Sequence, residues 1–127
     1  GEARALTSIG KYYYFIGDHA KAFDNYRKAL RVPLNDTLSA YPAETYIRLS
    51  IIHRIEAQLD SAHWYLAKAE RTLQRMPANS LHASYYATYA LLLHEEGRSR
   101  EALTFLQKSN TIRLQADDPV YKSIAFR

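Results

Sequence analysis

The side chains best equipped for chemistry are five histidines, His19, His53, His63, His82 and His94, and the acidic pair Glu95–Glu96 that follows the last of them. A helix that holds zinc for hydrolysis carries two histidines one turn apart, with a glutamate between them. His94–Glu95–Glu96 has one histidine and the acid but no second histidine at that spacing. The 4 glycines form no phosphate-cradling loop, and no serine stands in a nucleophile elbow. The chain has 0 cysteines, so thiolate metal sites and disulfides are excluded. Glu95–Glu96 reads as the polar end of a helix before Gly97, and His53, in a packing phase, as an interior histidine. The pattern points to a non-catalytic chain with no cofactor and no metal.

Recognition chemistry is better represented. Tyrosine is the compositional outlier, with 11 copies that include the run Tyr12–Tyr13–Tyr14. Its large apolar body and polar tip suit both packing and recognition surfaces. The 17 basic and 13 acidic residues leave a net charge of +4, with no basic run longer than Arg27–Lys28. Nucleic-acid binding needs basic residues gathered on one face, so this surface reads as solvated and no nucleic-acid partner is expected. No apolar run approaches the roughly 20 residues that span a bilayer, so no membrane contact is expected of this stretch. The chain opens with Gly1 and no signal-peptide core follows, which reads as a fragment and leaves the compartment open between cytoplasm and periplasm.

The elements that must position these residues repeat every 40 positions. Ala22, Ala62 and Ala102 share a phase, as do Ala3, Ala43 and Ala83, and Lys28, Lys68 and Lys108. Tyr26, Leu66 and Leu106 form another set, Ala29, Ala69 and Ser109 another, and Gly17, Ala57 and Gly97 a further one. Self-similarity at a fixed period of this size marks stacked units, each burying its apolar face against its neighbours. Within the first unit Leu6, Ile9, Tyr13 and Ile16 recur at helical steps and form an apolar stripe. After the Gly17–Asp18 break the period resumes at Ala22, Phe23, Tyr26, Ala29 and Leu30. Asp60 or Ser61 is available to cap the fourth helix, and Asn79 or Ser80 the fifth. Small residues at Gly10, Ser50 and Ala90 allow paired helices to approach closely, with a large residue of the partner helix filling the space.

The spacing predicts an all-α solenoid of three helical hairpins, in units of about 3–36, 43–76 and 83–116, with a C-terminal capping helix over about 119–127. Helices are expected near 3–16, 19–32, 42–56, 60–75, 80–96, 99–115 and 119–127. Breakers separate the units, from Pro33 to Pro42 and over Met76–Pro77–Ala78–Asn79–Ser80. Asp117–Asp118–Pro119 reads as a cap followed by a first-turn proline.

This pattern resembles the tetratricopeptide repeat (TPR) family. Leu6-x2-Ile9-Gly10-x2-Tyr13, then Gly17, then Ala22-x3-Tyr26-x2-Ala29 follow the family signature closely. The third unit follows with Gly97 and Ala102-x3-Leu106, while the second departs most, with His53 for Tyr and Ala57 for Gly. The period exceeds the family's usual spacing of about 34, which implies longer helices or connections. Asp60–Ser61–Ala62, Tyr65–Leu66 and Lys68–Ala69 are also similar to TPR sensor regions of bacterial transcriptional regulators. There the array precedes a membrane helix and a DNA-binding output module.

The resemblance implies a right-handed superhelix whose first helices line a concave groove that holds a peptide or helix of a partner. The groove candidates are Lys11, Tyr14 and Ser8 in the first unit, Arg48, Ile51, Arg54 and Ile55 in the second, and Thr88, Leu91 and His94 in the third. Such a groove suits an acidic, partly apolar segment. Family members that grip chaperone tails use a Lys and Asn clamp, whereas Ser8, Arg48 and Thr88 stand where Asn would be expected, which disfavours that activity. The function expected is protein–protein interaction, as part of a larger regulatory or sensor protein. The alternative is a structural, self-associating scaffold fragment of a longer array.

Overall fold

The computed structural model describes residues 1–33 and 41–117. Over that range the chain forms six helices: α1 (Glu2–Phe15), α2 (His19–Arg31), α3 (Tyr41–Ile55), α4 (Leu59–Leu73), α5 (Ser80–Glu95) and α6 (Ser99–Asp117). There is no strand among the described residues. The expected capping helix over 119–127 lies outside them.

The three hairpins, α1–α2, α3–α4 and α5–α6, close by the same turn. The amide of Gly17 donates to the Tyr14 carbonyl at 3.1 Å and that of Asp18 to Tyr13 at 2.9 Å. Ala57 and Gln58 repeat the pair on Arg54 and His53 at 3.0 and 2.8 Å, and Gly97 and Arg98 on His94 and Leu93 at 3.0 and 2.8 Å. This Schellman arrangement satisfies carbonyls the ending helix leaves free, and it requires a left-handed residue at its centre. Gly17 and Gly97 take φ of 86° and 79° at little steric cost, and Ala57 is held at 61° in the same place. Asp18 caps α2 by accepting from the Lys21 amide at 3.1 Å. Asn79 caps α5 in a capping box with His82. At α4 the structure corrects the expectation: the cap is Gln58 without a side-chain bond, and Asp60 and Ser61 lie inside the first turn.

The in-phase small residues occupy matching environments. Ala22 and Ala62 are fully enclosed and Ala102 nearly so, and Ala29, Ala69 and Ser109 are all buried. Gly10, Ser50 and Ala90 are buried on the facing helices. The Ser50 hydroxyl donates to the Ala62 carbonyl at 2.8 Å. The hydroxyl of Ser109 does the same to Ala83 at 2.8 Å, tying the two rods of a hairpin together.

Hairpins stack through α2 on α3 and α4 on α5, and α3 also touches α1 and α5. Among the described residues no second helix touches another, so the first helices run side by side and the second helices diverge. The stack therefore curves, with α1, α3 and α5 on its inner side. One expectation about α1 is overturned. Ile9 and Ile16 are 43% and 57% exposed, and Thr7 and Gly10 are the buried residues of that helix. The corresponding Leu49 on α3 is fully buried because α2 packs over it, whereas among the described residues no helix packs on α1 in that way.

Candidate functional site

The inner face is built from three neighbouring helices, and the structure shows which of its cations are already engaged. Lys11 of α1 forms an ion pair with Glu44 of α3. Arg54 of α3 donates from Nη1 to Glu95 Oε1 of α5 at 2.9 Å, while its Nε is buried without a partner. Each pair bridges adjacent hairpins. Tyr14 is half-buried, stacked 5.6 Å from the His19 ring and packed on the core of Ala22, Tyr26, Leu49 and Ile52.

Arg48 differs. It is half-buried, it has no ion-pair partner among the described residues, and it lines a cavity of about 200 Å³ between α3 and α5. Ile47 and Ile51 supply an apolar wall, Glu44, Ser84 and Thr88 a polar one, and Arg113 a second guanidinium from α6. The structure thus brings Arg48, Ile51 and Thr88 together and leaves Leu91 and His94 exposed farther along α5. Ser8 and Ile55 are also exposed and lie outside this cavity.

Charges act on the core beneath this face. Burial pushes the Tyr26 phenol up to about 12, with the nearby Arg48 charge pulling it the other way. The Tyr26 hydroxyl has no hydrogen-bond partner among the described residues. His53 is half-buried, with Nδ1 2.6 Å from Gln58 Oε1, its ring stacked 5.2 Å from Tyr65, and its Nε2 buried and unpartnered. The expected interior histidine is thus satisfied at one nitrogen only.

Sequence did not single out Glu44 and Arg113, and it read Glu95 as a helix end rather than as the partner of Arg54. No local signal marks them, because each meets its partner from another helix. The tyrosine surplus also finds a place. A cleft of about 650 Å³ between α4, α5 and α6 is lined by Tyr85, Tyr86, Tyr89, Phe105 and Lys108. The Lys108 ammonium sits 4.8 Å over the Phe105 ring. Tyr85 donates to Glu70 Oε2 at 3.2 Å, and burial raises the Tyr85 phenol well above its ordinary value. The Tyr85 hydroxyl and the Lys108 ammonium of this cleft thus both have contacts within the chain.

No group of three His, Asp or Glu side chains is placed to hold a metal ion among the described residues, and none of their helices is long and apolar enough to cross a membrane. The arrangement offers a surface rather than an enclosed reaction chamber. Residues 3–36, which take in nearly all of the first hairpin, match the tetratricopeptide repeat family model. The first hairpin thus resembles a tetratricopeptide repeat. No match is found among curated proteins. The matched repeat lies one period before the second hairpin, whose turn and buried alanines copy it, and the third copies them again. Tetratricopeptide repeats generally mediate protein–protein interaction and are typically not catalytic.

Proposed function

We propose that the inner face of α1, α3 and α5 holds an acidic, partly apolar segment of a protein partner, with Arg48 as its main charged contact. The observation that carries this reading is the unpaired Arg48 beside Ile51 in a cavity it shares with Arg113. A half-buried guanidinium with no ion-pair partner among the described residues has donors left for a bidentate bond to a partner carboxylate. Ile51 lends the apolar wall of the same cavity, and exposed Leu91 and His94 extend the surface along α5. Lys11 and Arg54 contribute through the ion pairs that set the spacing of the three helices. As part of a larger regulatory or sensor protein, such a module would couple partner capture to the behaviour of the rest of that protein.

Selection from a random peptide library followed by titration tests this. Acidic peptides carrying an apolar residue should be enriched, and Arg48→Glu should weaken them by about tenfold or more, as loss of a charge-assisted contact implies. The unfolding free energy should move by less than about 0.5 kcal/mol, as for a typical surface change. Enrichment without acidic character, or binding indifferent to the charge reversal, refutes the proposal.

A further inference from the structure

We infer that the two ends of this chain are complementary and that a second copy stacks its α1 on the open face of α6, extending the array head to tail. The inference is independent of the inner face and rests on the 40-residue register. At the α2–α3 junction Ala22 and Tyr26 pack on Leu49 and Ile52, all buried. One step along, Leu66 packs with Leu92 of α5, and both are buried. A further step places Ala102 and Leu106 of α6 opposite positions 9 and 12 of a following first helix. This chain has no following hairpin within its described residues, but it has Ile9 and Tyr12 at its own start, 43% and 60% exposed. Leu106 is 43% exposed, although Tyr26 and Leu66 in its phase are buried.

A second contact is more specific. At the α4–α5 junction His63 Nε2 lies 2.7 Å from Glu96 Oε1. Translated to a copy-to-copy junction, these positions become Leu103 and Ile16. Both are apolar and both face solvent, at 55% and 57% exposure. A polar pair inside the chain is thus replaced by an apolar pair at its ends, the chemistry expected where two surfaces must leave water. Positions 5 and 87, which correspond to the Thr45–Thr7 contact between first helices, are both alanine and allow the same approach. Because the two faces differ, the contact is heterologous and does not close at a dimer.

Sedimentation equilibrium over a concentration series reads this directly. The wild-type chain should rise in average mass past the dimer. Ile16→Glu, which installs the residue that Glu56 and Glu96 supply in the other hairpins, blocks one end, and Leu103→Glu blocks the other. Each variant alone should stay monomeric, with association weakened by about tenfold or more. Mixed together they should form a one-to-one complex of twice the monomer mass, through the intact Leu103 of one and the intact Ile16 of the other. Circular dichroism should show both folded, since each site is solvent-facing. A wild-type chain that holds monomer mass at every concentration overturns the inference. Self-association of either single variant, or a mixture that does not pair, overturns it as well.

Discussion

Gly10 lies against the ring of Tyr26: a Cβ at position 10 would stand 2.5 Å from Cε1 and 2.6 Å from Cδ1. Tyr26 is fully enclosed and cannot swing out of the way. The first hairpin therefore pairs the smallest residue with the largest. In the same phases the second hairpin has Ser50 with Leu66, and the third Ala90 with Leu106. Volume is conserved across the crossing while the individual residues change, as close packing demands.

Gly10→Ala should therefore cost about 1–2 kcal/mol in urea denaturation, overpacking outweighing the helix propensity gained. Gly10→Ser combined with Tyr26→Leu recreates the pairing of the second hairpin. The double variant should be more stable than the sum of the single changes predicts, by about 0.5–3 kcal/mol. Strict additivity would show that the two residues do not share this space.

Ala57 holds the left-handed turn position that glycine occupies in the other two hairpins. A left-handed Cβ costs about 1–2 kcal/mol, partly offset by the freedom glycine adds to the unfolded chain. Ala57→Gly should stabilise the protein by about 0.5–1 kcal/mol, and Gly17→Ala should destabilise it by a similar amount. Thermal denaturation of the two variants side by side checks both signs.

Alkaline stability should report on Tyr26. Its phenol is raised to about 12 in the folded state against 10.0 for the ordinary value, mainly by burial. The folded chain thus keeps this proton when the unfolded chain loses it. The associated stability is complete below pH 10 and is lost as pH rises toward 12, by up to about 2–3 kcal/mol. Tyr26→Phe removes this part of the alkaline loss. Because the hydroxyl has no partner among the described residues, the variant should be neutral or up to about 1 kcal/mol more stable at pH 7. Tyr85, also raised, adds a second alkaline loss that Tyr26→Phe leaves in place.

Glu95→Gln should separate stability from binding. It removes the carboxylate that holds Arg54, costing about 0.2–1 kcal/mol of stability, in line with partly exposed ion pairs. The released guanidinium joins Arg48 on the inner face, so an acidic peptide should bind up to about fivefold more tightly. Isothermal titration of the variant measures this, and weaker binding would place the peptide elsewhere.

The helices and turns were legible because they depend on neighbours in sequence. Helical periodicity, the Gly17 and Gly97 turns and the Asn79 cap all act within a few residues. The inner face was less legible. Lys11 and Arg54 read as free cations until Glu44 and Glu95 arrive from adjacent hairpins. Tyr14 reads as a groove residue until His19 and the core claim its ring.

By itself the amino-acid order determined the number of hairpins, the hinge in each and the small residues at every crossing, because each recurs at a fixed interval and draws on local backbone preference. Only the tertiary structure decided which charges stay unneutralised and which apolar residues meet water. Ile9 and Leu49 occupy the same phase, yet one is exposed and the other enclosed. What separates them is the presence of a helix on one side, and burial depends on what is packed alongside rather than on the residue's own type.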